Sequence, residues 1–387
     1  MDALMLPLNW QRVRLGDMTT SFTKQTGFDY SASIKPTLIK EQLPNYIPFI
    51  QNKDFLGHYI NYKTDYFIPN EIAIRFPQIL LNEKCLLISI SGAIGNVAVF
   101  NHSQNAFIGG AIAVLKFKEK KSLDFVMHFL ISASGQKLLL NSVKSSSHKN
   151  LTIADLRVLL IPLPPLDEQI AIANILSDLD RYLYSLDALI LKKESIKKAL
   201  SFELLSQRKR LKGFNQAWQR VRLGDIANYL TSNLSAEQIT QQGKIKVYDV
   251  NNFIGYTDTT FISDKPYISI VKDGSVGRVR ILPPKTNILS TMGALIANHR
   301  TTTEFLFYLL SNFDFKNFTS GSIIPHIYFK DYKEKTIFLP PLNEQIAIAN
   351  ILNALDHEII SLKNKKRQFE NIKKALNHDL MSAKIRV

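Results

Sequence analysis

Cysteine is almost absent from this sequence, with Cys85 as the single example among 387 residues. One thiol excludes an intramolecular disulfide and a zinc site built from several thiolates, and it is typical of a reducing compartment. The first residues lack the basic end and apolar core of a signal peptide, and no run approaches the roughly 18 apolar residues of a membrane span. We therefore expect a soluble, cytoplasmic protein with no membrane partner.

The motifs of common catalytic and cofactor-binding sites are also missing. The Pro-Pro pairs read LPPL, LPPK and LPPL, so none matches the [N/D/S]-P-P-[aromatic] motif of amino-methyltransferases. No phosphate-binding G-x-x-x-x-G-K-[S/T] loop occurs, and the 8 histidines show no spacing typical of metal ligands. These absences favour a binding protein over an enzyme, and we expect no catalytic residue, metal site or cofactor site in the chain.

Acidic side chains are few relative to basic ones. The sequence has 48 Lys and Arg against 33 Asp and Glu, a formal charge of +15 and a pI near 9.6. Such an excess favours acidic polymers as partners, and nucleic acid is the commonest of these in cytoplasm. A basic surface that binds nothing is the alternative, because charge alone specifies neither a fold nor a target.

What the sequence does contain is a block that occurs twice. Residues 163–176 read LPPLDEQIAIANIL, and the same block returns 176 residues later at 339–352. The two copies differ at one position, where Asn343 replaces Asp167. A second shared block, WQRVRLGD, occurs at 10–17 and 218–225. The stretches between the shared blocks differ, so we expect the constant parts to keep geometry and shared partners while the variable parts recognise different targets. The predicted domains are 1–162, 163–212, 213–338 and 339–387.

Each constant block predicts the start of a long helix. A Pro-Pro pair ends the preceding element, and we expect Asp167 and Asn343 to be the N-caps. Apolar residues then follow at alternating spacings of three and four, which is the heptad pattern of a coiled coil. Each helix is expected to span roughly 40 residues, or about 60 Å. The predicted pairing residues are Leu176, Leu179, Leu183, Leu186 and Ile190 in the first copy, and Leu352, Leu355, Ile359 and Leu362 in the second.

Matching apolar stripes predict that the two helices bury each other. An antiparallel arrangement would give each variable domain its own end of the pair and an approximate two-fold axis. Lysines interrupt both stripes, and a lysine at a core position costs stability but can specify register. The alternative is two independent helices, each packed on its own domain. The predicted fold is α+β: two globular domains joined by two long helices that pair as an antiparallel coiled coil, in a pseudo-two-fold repeat.

The variable bodies, 18–160 and 226–338, contain short β-branched runs bounded by turn residues, which predict strands. These runs are YIPFI, CLLISI, AIAVLKF, RVLLIPL, ISIV and KTIFL. Residues 122–140 and 303–311 are predicted to be helical.

Two glycine loops in these bodies are candidates for DNA contact. Glycines three apart interrupt apolar strands in SGAIGN (91–96) and DGSVGR (273–278), and bare backbone can approach a phosphate closely. A tight hairpin with no ligand is the alternative. The candidate residues in these loops are Ser91, Gly92, Gly95, Asn96, Gly274, Gly277, Arg278 and Arg280.

Two further sets of polar residues are candidates. A Ser-rich patch before each constant block could donate to phosphates or base edges, although an ordinary solvated turn has the same composition. The candidates there are Ser146, His148, Lys149, Ser322 and His326. Lys244, Lys246, Tyr248 and Asn251 form the other set; an asparagine can bond adenine through both amide atoms, but it is also a common turn residue.

The sequence resembles the specificity subunits of type I restriction–modification systems over nearly its whole length. The resemblance depends on the doubled PLPPL-x-EQ-x-x-I-A-x-x-L block, the long basic helix after each copy, and the W-x-x-x-x-LGD opening of each half. It implies two target-recognition domains, each reading half of a split site in double-stranded DNA. The variable bodies differ within the family, so no site residue is carried over there.

The resemblance also implies partner subunits, which would supply the chemistry for which this chain has no motif. Two modification subunits would bind the conserved regions and supply methylation with S-adenosylmethionine, and restriction subunits would add ATP- and Mg-dependent translocation and cleavage. The alternative is a DNA-binding regulator, or a coiled-coil adaptor, without enzymatic partners. A neighbouring gene with a methyltransferase motif would discriminate between these functions.

Overall fold

The computed structural model describes residues 7–25, 27–143 and 150–387, which form two compact units. Unit 1 comprises the chain up to Ser185 together with Lys366–Val387, and unit 2 is Leu186–Lys365. The division falls inside the two long helices, so each helix contributes one half to each unit. Within the described residues, no helix is long and apolar enough to cross a membrane.

Unit 1 contains three sheets and a set of short helices. Its strands are β1 (Gln11–Arg14), β2 (Thr19–Lys24), β3 (Tyr46–Ile50), β4 (Phe55–Leu56), β5 (Tyr59–Ile60), β6 (Phe67–Pro69), β7 (Leu80–Leu81), β8 (Cys85–Ser89), β9 (Val97–Phe100), β10 (Ala106–Ile108), β11 (Ile112–Phe117) and β12 (Leu160–Leu163). Its helices are α1 (Gly27–Asp29), α2 (Asn70–Ala73), α3 (Ser122–Ile131), α4 (Ala133–Asn141), α5 (Ile153–Arg157) and the first half of α6 (Leu166–Leu205). The sheet orders are β2-β11-β8-β9, β6-β3-β10-β7 and β1-β12, with a β4-β5 hairpin beside them.

Unit 2 repeats this plan in shorter form. Its strands are β13 (Gln219–Arg222), β14 (Ala227–Thr231), β15 (Ile245–Tyr248), β16 (Phe253–Thr257), β17 (Tyr267–Val271), β18 (Val279–Leu282), β19 (Thr286–Ile288), β20 (Met292–Ala297) and β21 (Thr336–Leu339). Its helices are α7 (Thr303–Ser311), α8 (Phe329–Tyr332) and the first half of α9 (Leu342–Met381). The sheet orders β14-β20-β17-β18 and β13-β21 match those of unit 1. The sheet β16-β15-β19 corresponds to β6-β3-β10 but lacks the fourth strand of unit 1, and both of these sheets contain one parallel pair.

The cores show that the apolar run CLLISI forms a strand, β8, that is covered on both faces. Successive side chains of a strand point to opposite faces. In β8, Leu86 and Ile88 pack in one hydrophobic cluster while Cys85 and Leu87 pack in another. Burial raises the pKa of the Cys85 thiol to about 12, so this cysteine serves packing. The α+β prediction for both bodies is therefore correct.

Two of three local predictions were wrong in detail. The helix predicted over 122–140 is broken at Ser132, whose backbone is extended. The Ser132 hydroxyl caps α4 by accepting a bond from the Gly135 N–H. The strand predicted from RVLLIPL starts only at Leu160, because the residues up to Arg157 form α5. The helix predicted over 303–311 is confirmed as Thr303–Ser311.

The N-cap prediction for the long helices was also wrong. Both helices begin at the residue after the Pro-Pro pair, so Asp167 and Asn343 lie within the first turn. The Gln169 N–H donates to the Pro165 carbonyl, and the Gln345 N–H donates to the Pro341 carbonyl, both at 3.0 Å. Proline has no backbone N–H, and the first N–H groups of a helix have no acceptor within the helix. Proline therefore loses no hydrogen bond at this position.

The antiparallel pairing of the two helices is confirmed in each unit. In unit 1, Asp180 pairs with Lys373 and the Tyr182 ring lies 4.7 Å from that of Phe369. In unit 2, Lys193 pairs with Glu358 at 2.7 Å, and Lys197 with Asp356. Along these contacts the residue numbers rise on α6 and fall on α9, so the two helices run in opposite directions. Both helices have 40 residues, as predicted.

The predicted pairing residues are all withdrawn from solvent to some degree. Leu176, Leu186, Ile190, Leu352 and Ile359 are buried, whereas Leu179, Leu183, Leu355 and Leu362 are half-buried. The helices also pack on the domains: Leu176 and Leu380 belong to the unit 1 core, and Leu204 and Leu352 to the unit 2 core. Helix pairing and packing on the domains thus occur together.

Candidate nucleic-acid interface

The shared blocks at the start and end of each variable body assemble into the same small module. β1 pairs antiparallel with β12, and β13 pairs in the same register with β21. The Trp10 indole N–H lies 3.3 Å from both carboxylate oxygens of Glu168, and that of Trp218 donates to Glu344 at 2.9 Å. Each Trp–Glu pair links the shared block before a variable body to the shared block after it. This contact explains why both blocks recur.

The glycine of each LGD motif permits a close approach inside this module. A Cβ on Gly16 would lie 3.0 Å from the Arg157 side chain, and one on Gly224 would lie 3.2 Å from that of Lys333. In unit 2, Glu344 is fully buried and also accepts from Arg210 at 2.7 Å. A buried carboxylate needs such donors because an unpaired charge in the interior is costly.

Three of the lysines that interrupt the apolar stripes, Lys193, Lys197 and Lys373, lie opposite carboxylates of the other helix. Asp180 and Asp356 occupy equivalent positions of the two helices, and so do Lys197 and Lys373. The pairs Asp180–Lys373 and Lys197–Asp356 are therefore one contact formed once in each unit. Tyr308 completes the unit 2 site with a bond of 2.8 Å to Asp356. These pairs satisfy polar groups at the helix interface and favour one register.

One buried and one partly buried histidine border the helix pair in unit 1. His128 Nε2 lies 3.1 Å from Ser177 Oγ, and burial lowers the pKa of His128 to about 3. His58 Nε2 lies 3.3 Å from Asp180 Oδ2. Burial also lowers the pKa of His58, and the Asp180 carboxylate opposes that shift. Both imidazoles are therefore neutral near pH 7 and serve packing and hydrogen bonding.

The two glycine loops have the same hairpin geometry. Gly92, Gly95, Gly274 and Gly277 have φ values of 73°, 88°, 84° and 79°, a region that favours glycine. The Gly95 N–H donates to the Ser89 carbonyl, and the Gly277 N–H to the Val271 carbonyl, both at 2.9 Å. The hairpin is thus set by local backbone bonds, and the residues after it are free to differ: exposed Asn96 in one unit and exposed Arg278 in the other.

The described residue Asn150 and the Ser-rich segment of unit 2 each lie beside a glycine hairpin. Ser91 forms an isolated bridge with Asn150, and Asp273 forms the equivalent bridge with His326. His326 Nδ1 lies 2.6 Å from Asp273 Oδ1, and Ser322 is exposed nearby in sequence. The other predicted residues of this kind, Ser146, His148 and Lys149, lie outside the described residues. In unit 2 the structure therefore brings together two candidate segments, through residues that are 53 positions apart in sequence.

The third candidate set surrounds the end of β15. Lys246 and Asn251 are exposed, Tyr248 is half-buried, and Lys244 precedes the strand with its side chain exposed. The Arg280 guanidinium carbon lies 5.2 Å from the Tyr248 ring centroid, which is a cation–π distance. Arg280 of the hairpin thereby joins the residues that follow β15.

Sequence reasoning missed the equivalent residues of unit 1. The parallel pairing of β3 with β10 matches that of β15 with β19, so Ile50 corresponds to Tyr248 and the loop after Ile50 to the loop after Tyr248. Lys53 has a half-exposed side chain, and its neighbour Asn52 donates to the Ser91 carbonyl at 2.6 Å. The two loops share no sequence pattern, so only the strand register reveals their equivalence.

The fold and these surfaces define a class of protein with two variable binding domains mounted on duplicated helical modules. The profile of the family described as the type I restriction modification DNA specificity domain matches residues 7–197 and 215–371. The chain belongs to this family. The resemblance seen in the sequence is therefore confirmed, and the family's specificity subunits are non-catalytic.

Individual relatives agree with the family. The type I restriction enzyme MjaVIII specificity subunit of Methanocaldococcus jannaschii is 24% identical over 100% of this chain and 95% of its own length. A protein of the same archaeon, named for the MjaX specificity subunit, is 30% identical over 76% of each chain. The crystal structure of an S subunit from M. genitalium superposes with a TM-score of 0.65 at 20% identity, covering 97% of this chain and 98% of that one, which shows a shared fold.

Proposed function

We propose that this chain is the specificity subunit of a type I restriction–modification complex and that it recognises a DNA target in two parts. Unit 1 would read one part and unit 2 the other. The observation that carries this proposal is the double family match, once on each variable body with its module. The modules are alike, while the residues presented by the two hairpins and the loops beside them differ.

The charge and the exposed residues support DNA as the target. The chain carries a net charge of +15, and Lys246, Asn251 and Arg278 are exposed around the unit 2 hairpin. Lysine and arginine position a protein on phosphates, whereas an exposed carboxamide can discriminate base edges. Two modest affinities on one chain then combine through their effective concentration, which suits a target in two parts.

The recurring surface of the helices supports two copies of one partner. Tyr184 and Ile360 occupy equivalent positions and are 68% and 54% exposed, and Ile196 and Ile372 do so at 42% and 50%. Exposed apolar side chains on a helix are suited to contact with another protein. We propose that two modification subunits bind these equivalent surfaces and that restriction subunits join the complex.

The chemistry is assigned to those partners. We propose that S-adenosylmethionine binds in the modification subunits, that ATP and Mg act in the restriction subunits, and that the complex works in the cytoplasm. This chain would contribute recognition and assembly.

Adenine methylation tests the proposal. The purified chain is incubated with S-adenosylmethionine and random-sequence DNA, alone and with its modification subunits, and methylated adenines are mapped. The chain alone is expected to give neither methylation nor cutting, and the mixture is expected to methylate adenines inside one split target. Methylation by the chain alone would contradict the proposal. Sequence-specific DNA binding that no modification subunit joins would instead indicate a regulator.

A further inference from the structure

The loop after β15 is hydrogen-bonded along its backbone, while the side chain at its tip is exposed. Asp249 Oδ1 accepts the N–H groups of Asn251 and Asn252 at 2.8 and 2.7 Å, and the Asp249 N–H donates to the Asn252 carbonyl at 3.0 Å. Within the described residues, the Asn251 carboxamide itself makes no hydrogen bond. An exposed amide on an ordered backbone is prepared to bond a ligand.

A further backbone group at the tip, the Asn251 carbonyl, is bound by a residue of the glycine hairpin. Arg280 Nη1 donates to the Asn251 carbonyl at 2.9 Å, and its guanidinium lies over the Tyr248 ring. Arg278, two residues earlier on the same hairpin, is exposed and makes no hydrogen bond from its side chain within the described residues. The two arginines therefore have different surroundings although they are neighbours in sequence.

The strand that leads into the loop is distorted at the same point. The register of β15 with β16 shifts between Val247 and Tyr248, so a bulge directly precedes the loop. Bulges turn a strand and redirect the side chains that follow. On the partner strand, Gly255 allows close packing, because a Cβ there would lie 2.6 Å from the Thr240 carbonyl oxygen.

Unit 1 ties its corresponding loop to its hairpin with different atoms. There the loop side chain is the donor and the hairpin backbone is the acceptor, through Asn52 Nδ2 and the Ser91 carbonyl at 2.6 Å. The bond between loop and hairpin thus recurs although its chemistry does not. A contact that recurs in both variable bodies indicates that the position of the loop matters to both.

We propose that Arg280 is a positioning residue for base recognition, which holds the Asp249–Asn252 loop so that the Asn251 carboxamide meets one base edge. The inference rests on the proposed reading of DNA by unit 2. A carboxamide has one donor and one acceptor side by side, which matches the N6 and N7 atoms of adenine. Both bonds require the amide to be held in place, because hydrogen bonds weaken steeply with misalignment.

The test uses the full chain with its modification subunits and duplexes that carry the mapped target. Each base pair of the two half-sites is changed singly, and methylation rates are compared. Asn251→Ala is expected to lower discrimination about tenfold at one base pair of one half-site. Arg280→Met keeps the aliphatic stem but removes the donor, and it is expected to lower discrimination at that same base pair.

Three comparisons make the role specific. Arg280→Lys retains one donor, and since Arg280 uses a single N–H in this bond it is expected to restore most of the discrimination. The double variant Arg280→Met with Asn251→Ala is expected to discriminate no worse than Asn251→Ala alone. The effects of two substitutions are not additive when one residue acts through the other. Arg278→Ala is the matched control and is expected to weaken binding to all sequences alike.

The failures are distinguishable. If wild type showed no preference at any base pair assigned to unit 2, the proposed function would fail. If wild type and Asn251→Ala behaved as expected but Arg280→Met kept full discrimination, or its effect added to that of Asn251→Ala, the positioning role would be wrong. Discrimination at the other half-site reports whether the variant is folded. If Arg280→Met lowered discrimination at both half-sites, Arg280→Lys would decide the matter. Its failure to restore discrimination would overturn the inference.

Discussion

Lys197 and Asp356 form an ion pair between the second half of α6 and the first half of α9. Both side chains are less than one-third exposed, and the aspartate also accepts from the Tyr308 hydroxyl. The same pair recurs in unit 1 as Asp180 and Lys373. Half-buried charges at a helix interface stabilise one register chiefly by making other registers costly.

Lys197→Met is expected to destabilise the chain by about 1–2 kcal/mol, because Asp356 loses its cation in a partly buried site. The free energy of unfolding in urea measures the change. The control is Arg181→Met, which removes an ion pair with Asp178 on the exposed face of the same helix. That change is expected to cost less than about 0.5 kcal/mol, and equal losses for the two variants would contradict the assigned role.

The sequence predicts the helices well and their ion pairs not at all. The heptad pattern needs only the apolar residues of α6 and α9, and it gave both lengths. The partner of Lys197 depends on the stagger of one helix against the other, which no local pattern contains. The same limit applies to Asn52 and Lys53, since their match to the unit 2 loop depends on strand register.

The sequence predicts the glycine hairpins in part: it gives the turn but not the directions of the side chains. Glycines three apart predicted a turn, and the geometry agrees because positive φ at Gly274 and Gly277 strongly favours glycine. The spacing could not show that Arg280 turns toward Asn251 while Arg278 points to solvent. Residues two apart on a strand share a face, so the difference depends on the contacts of Arg280 with the Asn251 carbonyl and the Tyr248 ring.

Acid is expected to destabilise unit 1 through His128. The unfolded chain binds a proton at this residue near pH 6.5, whereas the folded pKa is about 3. Between these values the unfolded state binds more protons, so stability falls as pH drops below about 6.5, by about 2 kcal/mol at pH 5. Urea unfolding at pH 7 and pH 5 measures the change.

His128→Gln removes this titration and keeps a polar group opposite Ser177. Its stability is expected to fall less between pH 7 and pH 5 than that of wild type. His357→Gln, at an exposed position of α9, is the control and is expected to keep the wild-type slope. A His128→Gln variant with an unchanged slope would show that the buried imidazole does not account for it.

Arg278→Ala is expected to weaken DNA binding to a similar degree on matched and mismatched duplexes. The side chain is exposed and without a hydrogen bond within the described residues, which suits a phosphate contact. The plot of log affinity against log salt concentration should lose about 1 from its slope. An unchanged affinity and slope would leave the glycine hairpin as a plain turn.

A heptad inserted into both helices is expected to lengthen the gap in the DNA target. The insertions belong after Ser185 and after Lys365, where the halves of each helix pass from one unit to the other. Seven residues add about 10 Å of helix, or about three base pairs at 3.4 Å each. Both half-sites should be kept, and an unchanged gap in a folded variant would show that the helices do not set the spacing.

The most direct measurement exchanges one variable body and maps methylation. Residues 18–160 are replaced by the corresponding segment of another family member, the variant is combined with its modification subunits, and methylated adenines are located in DNA. We expect one half-site to change, while the other half-site and the gap stay as in wild type. A change in both half-sites, or in neither, would contradict the claim that each unit reads its own part of the target.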